Sequence, residues 1–324
     1  MSRVIAEILD VLAESDKPMS SQEITDELRF RGIKLESRTI RYHLTKMEKM
    51  GFITRVANGK RTITKKGLEE LRRKSVFERL GEFSERIEYN VYFCTFDLYS
   101  MKGTIPTNVA ILDKKHFERT LEILQEVSNS KILISNLVVM GDEGENIGGI
   151  SIPKGKFGVG VVSNTIYDVI MRSAGVSMVA EFAGLLHYEN QKPQGFTELI
   201  SYSGTTLSPG WLLINSGLTS VYRVVKRGRG DIITAIRNFS KHAVEIVKEE
   251  LSLAKARGID GVISIVYPSD RKFSLPTGNR ARIVVSAGLN YLAPLHECNL
   301  KPELRINEAF IELKEFRSLD KYLR

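Results

Sequence analysis

Ser37-Arg38-Thr39-Ile40-Arg41-Tyr42-His43-Leu44, with Met50-Gly51-Phe52-Ile53 close behind, is the stretch that decides the fold of the N-terminal part of this chain. The serine is suited to cap a helix that runs to about Met50. Within that helix Ile40, Leu44 and Met47 are four and three residues apart, the spacing of one buried face. Gly51 favours the left-handed conformation that commonly ends a helix.

The residues on either side of this helix predict the rest of a small domain. Residues 4–12 place their apolar side chains on one helical face, and Ser20 or Ser21 can cap a second helix that ends at Gly32, with Glu23 placed for a capping box. Residues 52–56 and 61–64 are typical of two strands around a turn at residues 57–60, and a further helix is expected from Leu68 to about Leu80. Three helices and a hairpin predict a winged helix-turn-helix, assigned to residues 1–84.

Polar residues of the third helix alternate with its buried stripe, so we expect them to face outward together. In this fold the third helix enters the major groove of DNA, with its N-terminal part nearest the bases. An arginine can donate two hydrogen bonds to guanine, and a serine or threonine can hydrogen-bond to bases or phosphates. Basic residues of the hairpin are suited to contact the DNA backbone or the minor groove. Tyr42 could instead pack against the hairpin, Lys46 and Lys49 could be merely solvated, and His43 is expected to be partly buried. The predicted DNA contacts are Ser37, Arg38, Thr39, Arg41, Tyr42, Thr45, Lys46, Lys60 and Arg61.

The formal charge of +8 is unevenly distributed. Residues 1–80 hold 18 of the 47 Lys and Arg and 12 of the 39 Asp and Glu, a net charge of +6, which leaves +2 for the other 244 residues. Local positive charge is what a polyphosphate partner requires. A solvated helical surface would carry similar charge, so charge by itself does not decide for DNA.

Residues 72–90 join this domain to the rest of the chain. Phe77, Leu80 and Phe83 have helical spacing, and no Pro-, Gly- or Ser-rich linker interrupts the segment. The pattern predicts that the last helix continues through it, with firm coupling between the parts and a boundary near residue 84.

The larger part, residues 85–324, contains signs of a duplication. Ser151-Ile152-Pro153-Lys154-Gly155 matches Ser274-Leu275-Pro276-Thr277-Gly278 at an offset of 123 residues, and Val161-Val162-Ser163 matches Val284-Val285-Ser286 at the same offset. Apolar strands are expected before each loop, at 132–139 and 262–267, and helices before those, at about 116–127 and 232–257. The shared register favours duplication over chance, so we predict an α+β chain whose second domain has two α/β lobes, about 88–195 and 196–310.

Several function classes are disfavoured. Two cysteines without metal-ligand spacing and five scattered histidines disfavour a disulfide framework and a zinc site, and no cofactor or metal is expected. No run of eighteen apolar residues or secretory signal is present, so a cytoplasmic protein without a membrane partner is expected. Walker, HExxH and GxSxG motifs are absent, and Gly141–Glu145 is more typical of a solvated turn than of a metal loop. Cys94, within the apolar run 91–96 that we assign to a strand, is expected to be a buried hydrophobe.

Two resemblances extend this interpretation. The Arg-Tyr-His-Leu helix followed by Gly51 and a basic hairpin resembles prokaryotic winged-helix repressors. Ser151–Gly158 and Gly204–Pro209 together resemble the regulatory domain of the archaeal nitrogen-regulatory repressors of the NrpR type, over nearly the whole chain. The resemblance implies a dimeric repressor of nitrogen-assimilation genes that 2-oxoglutarate releases from DNA. Ser208 departs from the acidic residue expected after the Thr-Thr-apolar run.

A dicarboxylate such as 2-oxoglutarate needs cations and neutral donors. Basic residues lie on or just after the two repeated loops, hydroxyl and amide groups follow the first of them, and the loop at 201–210 is rich in hydroxyls and glycine. That loop could equally be a plain turn. The predicted effector contacts are Lys154, Lys156, Ser163, Asn164, Thr165, Ser203, Gly204, Thr205, Thr206, Arg280 and Arg282.

The expected function is therefore a transcriptional repressor and not an enzyme. Its expected partners are a palindromic operator in double-stranded DNA, a small-molecule effector and a second copy of the chain, with the general transcription machinery left open as a further partner. Two alternatives stay open: a metabolic enzyme with an appended DNA-binding domain, and a DNA-binding protein that needs no ligand.

Overall fold

The computed structural model describes residues 3–15, 17–33, 35–74, 76, 79–275 and 278–322. Phe77 of the connecting segment and Pro276-Thr277 of the second repeated loop lie outside the described residues. The chain divides into two compact units, Met1–Leu80 and Gly81–Arg324. This boundary lies four residues before the one expected from the sequence.

The first unit has the predicted winged helix-turn-helix fold. One apolar cluster, which includes Ile8, Leu28, Leu44 and Phe52, joins its first three helices to the hairpin. Ser20 and Glu23 form the predicted capping box, and Gly51 ends the third helix at a φ of 74°. The elements are α1 (Arg3–Glu14), α2 (Ser21–Phe30), α3 (Ser37–Met50), β1 (Ile53–Arg55), β2 (Arg61–Ile63) and α4 (Lys65–Lys74).

The second unit is a mixed α/β body. Its helices are α5 (Glu82–Phe93), α6 (Phe117–Ser128), α7 (Ile166–Ser173), α8 (Pro209–Asn215), α9 (Val221–Arg227), α10 (Val244–Ala256) and α11 (Ala293–Glu297). Its strands are β3 (Thr104–Asp113), β4 (Leu137–Gly141), β5 (Asn146–Ile147), β6 (Ile150–Ser151), β7 (Lys156–Val162), β8 (Val179–Glu189), β9 (Lys192–Ser201), β10 (Gly230–Ser240), β11 (Val262–Val266), β12 (Arg280–Ser286), β13 (Glu303–Glu312) and β14 (Arg317–Ser318).

The predicted duplication is present as a repeated topology. One antiparallel sheet, sheet 1, has the order β13-β3-β7-β4-β14, and the other, sheet 2, has the order β11-β12-β10-β8-β9. In each, a long strand (β3 or β10) leads through a short 3-10 turn into a helix (α6 or α10) and then to two more strands of the same sheet. The two largest apolar clusters of this unit draw residues from both sheets, so the lobes share much of one core. A smaller cluster around Ile236 and Val284 belongs to sheet 2.

The lobes do not follow the expected division at residue 195. The hairpin β8–β9 spans that position and belongs entirely to sheet 2, while β13 returns to pair with β3 at the edge of sheet 1. Each sheet is therefore completed by strands that lie outside the repeated segment, and the sequence match had no information about them.

Three element predictions are wrong. Residues 232–240 form strand β10 and not the start of a helix, because a strand buried on both faces shows the same continuous apolar run as a buried helix. Residues 91–93 end helix α5, so the apolar run at 91–96 is not a strand. Residues 132–136 lie outside the strands, and β4 begins only at Leu137.

The connector is also different from the prediction. Helix α4 ends at Lys74 and α5 begins at Glu82, preceded by Gly81 at a φ of 80°. A residue with that φ cannot continue a right-handed helix. The expectation of one uninterrupted helix between the two units is therefore wrong.

Candidate DNA-binding surface and effector pocket

Helix α3 presents one polar face to solvent because its other face is completely buried. Ile40, Leu44 and Met47 each have 0% exposure. The opposite side carries exposed Arg38, Arg41, Tyr42, Thr45 and Lys46, while Ser37 and Thr39 at the start of the helix are half-buried.

Tyr42 is 65% exposed, which does not support packing against the hairpin, and His43 is half-buried as expected. The polar groups of α3 otherwise bond within the helix: Arg41 Nε donates to the Ser37 carbonyl at 3.4 Å, and the Thr45 hydroxyl donates to the Arg41 carbonyl at 3.0 Å. No carboxylate among the described residues forms an ion pair with Arg38 or Arg41. Their charges are available to an anionic partner.

The two basic residues of the wing have different surroundings. Lys60 lies at the end of the turn, and its Nζ is 3.0 Å from Glu23 Oε1, with both side chains well exposed. Hydrogen bonds from Ser20 and then Lys60 lower the pKa of Glu23 to about 2. An exposed pair of this kind contributes little to stability, so a phosphate can compete for the lysine.

Arg61 does not point outward as expected. Its side chain is only 8% exposed, Nε donates to Glu48 of α3 at 2.9 Å, and Nη1 donates to the Gly59 carbonyl at 3.1 Å. Its backbone forms an isolated antiparallel bridge with Met19. Arg61 therefore fixes the wing to α3 and does not present its guanidinium to DNA.

A buried polar network in the second unit is centred on Asn307, in the bulge of β13. The hydroxyls of Ser163 and Thr165 donate to its Oδ1 at 2.6 and 3.3 Å, and its backbone N–H donates to Asn108 Oδ1 at 3.1 Å. Asn90 of α5 donates to the Asn307 carbonyl at 2.9 Å. Asn307 has a φ of 56°, a conformation that asparagine tolerates better than most residues.

Two neighbouring spaces lie beside this network. The first, which we call the inner cavity, holds about 20 Å³ and is bordered by Asn108, Asn164, Asn307, Tyr202 and Ser208. The second, the outer pocket, is an open space of about 260 Å³ bordered by Arg86, Thr206, Leu207, Ser208 and Trp211. Both are also bordered by Phe83 and Ile306, which therefore separate them.

The loop at 203–208 is held against the start of α5. The Gly81 N–H donates to the Thr205 carbonyl at 3.0 Å, and the Thr205 hydroxyl and the Leu207 backbone exchange hydrogen bonds at 3.1 Å. Ser208, at the position where the sequence departs from the expected acidic residue, instead accepts a hydrogen bond from the Trp211 N–H at 3.3 Å. Its side chain starts α8 and borders both spaces.

The structure does not bring all the predicted effector residues together. Asn164 borders the inner cavity and Thr206 borders the outer pocket, while Ser203, Gly204 and Thr205 precede Thr206 in the same loop and border neither space. Ser163 and Thr165 are buried in the Asn307 network. The four basic residues lie elsewhere.

Lys154 and Lys156 belong to a loop whose Gly155 N–H donates to Glu143. Neighbouring Lys114 pairs with Asp142 at 2.7 Å, in the turn Gly141–Glu145. Arg280 donates to Asn238, and Arg282 makes a two-pronged ion pair with Glu181 at 2.7 and 2.9 Å. None of the four basic residues borders either space.

The sequence did not identify a buried ion pair that lies beside Tyr202, a residue of the inner cavity wall. Arg237 of β10 is 1% exposed, and its Nε lies 3.0 and 3.1 Å from the carboxylate oxygens of Asp168 in α7. Burial raises the pKa of Asp168, which Arg237 opposes. The Tyr202 ring centroid is 5.2 Å from Arg237 Cζ. The sequence did contain a signal for this pair, namely an arginine within the apolar run 232–239. A charged side chain is buried only with a partner, so this arginine indicates a buried carboxylate beside it.

A winged helix-turn-helix joined to a two-sheet domain with a buried polar network is typical of one class of protein, the ligand-responsive DNA-binding regulators. The family described as NrpR regulatory domains NRD1 and 2 matches residues 80–318. The family described as the ribonuclease R winged-helix domain matches residues 6–71. The chain belongs to the NrpR family, as its two loops predicted.

Similar proteins agree with this assignment. The chain is 31% identical to the global nitrogen regulator NrpRI of Methanosarcina mazei over 98% of each chain. It is 27% identical to the global nitrogen regulator NrpR of Methanocaldococcus jannaschii over 99% of this chain but 56% of that protein, and so spans about half its length. The crystal structure of a nitrogen repressor-like protein from Methanococcus jannaschii shares the fold, with a TM-score of 0.62 and 18% identity over 73% of this chain and 97% of that chain.

Among the helices that the structure describes, none has the length and the apolar character that crossing a lipid bilayer requires. Within the same residues, His, Cys, Asp and Glu side chains form no group of three suited to a metal ion.

Proposed function

We propose that this protein is a transcriptional repressor of nitrogen-assimilation genes that binds operator DNA through α3 and the wing. The observation that carries the proposal is the exposed, unpaired face of Arg38 and Arg41 on α3, opposite a fully buried stripe, in a chain related to global nitrogen regulators. Base reading is assigned to the N-terminal half of α3, and phosphate contacts to Lys46 and Lys60.

A homodimer completes this function. One recognition helix reads only a short half-site, whereas two copies related by a two-fold axis read two half-sites about one helical turn apart, or a multiple of that distance. The full-length protein should therefore scatter light as a dimer at micromolar concentration and bind a palindrome more tightly than a single half-site. A monomer that binds both DNAs with equal affinity would contradict this part of the proposal.

The effector that we propose is 2-oxoglutarate, bound at the outer pocket and the inner cavity. Asn164 borders the inner cavity and Thr206 the outer pocket, where each is a neutral donor and acceptor. Arg86 also borders the outer pocket, and its charge is shared with Glu308 at 3.5 Å and Glu82 at 4.0 Å. Ser163 and Thr165 hold Asn307 in place from behind. Neutral donors of this kind suit a small dicarboxylate when a further cation is within its reach.

A mobility-shift titration tests the whole proposal. The protein should retard a promoter fragment of a nitrogen-assimilation gene but not a shuffled fragment of the same length. Millimolar 2-oxoglutarate should release the specific complex, whereas glutamate at the same concentration should not. Specific binding that 2-oxoglutarate does not change would leave a DNA-binding protein without this effector.

A further inference from the structure

The guanidinium of Arg237 has an unused end. Nε is occupied by Asp168, but Nη1 and Nη2 are buried and have no hydrogen-bond partner among the described residues. Burial opposes the charge of Arg237, whereas Asp168 and then Tyr202 raise the pKa of its guanidinium. The contact with the Tyr202 hydroxyl is close, but it is too distorted to be a hydrogen bond of standard geometry at either Nη atom. Paired Nη groups of this kind match the two oxygens of a planar carboxylate.

A second arginine of the same sheet shows the contrast. Arg282 of β12 is also mostly buried, at 8% exposure, but both Nε and Nη2 donate to the carboxylate of Glu181. Arg237 lies opposite Ile283 in the β10–β12 register and Arg282 lies opposite Asn238, so the two side chains point to opposite faces of sheet 2. Arg282 needs no further anion, whereas Arg237 retains a vacant pair of donors.

Tyr202 covers this end of Arg237 and is also part of the inner cavity wall. Its side chain is 5% exposed, lies over the guanidinium and stacks on Phe83 with ring centroids 6.0 Å apart and planes at 10°. Rotation of this one ring would open the guanidinium to the inner cavity. Phe83 is the second residue of α5, directly after the boundary between the two compact units.

The other walls of the inner cavity supply neutral donors. The network around Asn307 uses the carboxamide oxygens of Asn108 and Asn307, so their Nδ2 groups take no part in those bonds. Asn164 borders the same space. Phe83, Ser208 and Ile306 border both this space and the outer pocket.

We propose that Arg237 binds one carboxylate of a small dicarboxylate through Nη1 and Nη2, and that Tyr202 moves off the guanidinium to admit it. The remaining oxygens of the ligand lie among Asn108, Asn164 and Asn307. This site rests on the proposed function, since 2-oxoglutarate belongs to this class of ligand. Displacement of Tyr202 breaks its stack on Phe83, which gives ligand binding a direct effect on the first turn of α5.

The first test compares two lysine substitutions by calorimetry with 2-oxoglutarate, glutarate and succinate. Arg237→Lys keeps the charge beside Asp168 but removes the forked pair of donors, and should weaken binding of the dicarboxylates by about 10- to 100-fold. Arg282→Lys is the matched control on the opposite face of the same sheet and should change binding by less than about threefold. Thermal unfolding of each variant verifies that it is folded.

A second test uses the unmodified protein and therefore does not depend on how Arg237→Lys folds. Hydrogen–deuterium exchange with saturating 2-oxoglutarate should change in peptides that contain Tyr202, Arg237 and the first turn of α5, and not in the 152–156 loop. Trp211 is the one tryptophan of the chain and borders the outer pocket, so its fluorescence should change in the same titration.

The outcomes separate this inference from the proposed function. Equal affinity in wild type and Arg237→Lys, or exchange changes confined to the 152–156 loop, would overturn the Arg237 site and leave the effector proposal standing. Wild-type protein that binds glutarate or succinate in an Arg237-dependent way but not 2-oxoglutarate would support the site and overturn the proposed effector. Binding of none of the three dicarboxylates would overturn both.

Discussion

Arg41 lies one turn inside α3, on the exposed face of the helix, with its Nε bonded only to the Ser37 carbonyl. A side chain in that place is expected to reach base edges in the major groove. Arg41→Ala should therefore weaken operator binding by about 1–3 kcal/mol and relax specificity at one position. A mobility-shift titration against the operator and its single-base variants measures both effects.

Arg119→Ala is the control for Arg41→Ala, because Arg119 is an exposed arginine of α6 in the other unit and its removal changes the net charge equally. Lys60→Ala provides a second comparison: loss of a phosphate contact should lower affinity for all sequences alike and reduce the salt dependence by about one ion. Unchanged operator affinity in Arg41→Ala would mean that α3 does not read the DNA in this way.

The sequence could identify the exposed side chains of α3 because helical spacing fixes which residues share a face. It could not do so for Lys60 and Arg61, two adjacent basic residues of the wing. Their difference comes from Glu48 and Met19, which approach Arg61 from α3 and from the segment between α1 and α2. Partners that are distant in the chain decided the burial of Arg61 and, in the same way, of Arg237.

At the scale of elements, amphipathic segments were predicted well and doubly buried ones were not. Helices α2, α3 and α6 each bury one face and were placed to within a few residues. Strand β10 is buried on both faces, so its sequence lacks the alternation that distinguishes strand from helix. The sequence identified the loops of the candidate site, because their composition is distinctive. It did not identify Asn307 and Asp168, because a bulge in a strand and a buried helix leave no such pattern.

The bulge of β13 is the element that joins the two halves of the polar network. Asn307→Ala removes the acceptor of the Ser163 and Thr165 hydroxyls and puts a residue without a local hydrogen bond at a φ of 56°. Unpaired buried donors and this backbone strain should together cost about 2–4 kcal/mol in the free energy of unfolding. Urea unfolding followed by circular dichroism measures the loss.

Asn299→Ala separates the two causes. Asn299 has a similar φ of 64° but is exposed, so its substitution adds the backbone strain without breaking a buried network. It should cost no more than about 1 kcal/mol. Equal losses in the two variants would show that the network around Asn307 contributes nothing beyond its backbone conformation.

For the whole molecule, the question is how a ligand in the second unit affects DNA binding by the first. A single stiff helix would have been the simplest connection, but α4 and α5 are separate helices with Gly81 at their junction. The linkage between the sites does not depend on that detail. A ligand shifts a conformational equilibrium only by the difference between its affinities for the two states.

The coupling must be the same in both directions. If 2-oxoglutarate lowers operator affinity about 5- to 150-fold, a coupling free energy of about 1–3 kcal/mol, then operator DNA must lower the affinity for 2-oxoglutarate by the same factor. Calorimetric titration of 2-oxoglutarate into the protein, with and without saturating operator, measures this factor independently of any gel. A shuffled DNA of equal length is the control, since it should leave the affinity for the ligand nearly unchanged at moderate salt. Equal affinities with and without operator would rule out release by 2-oxoglutarate even if the ligand binds, because an effector that does not distinguish the free from the DNA-bound protein cannot move the equilibrium between them.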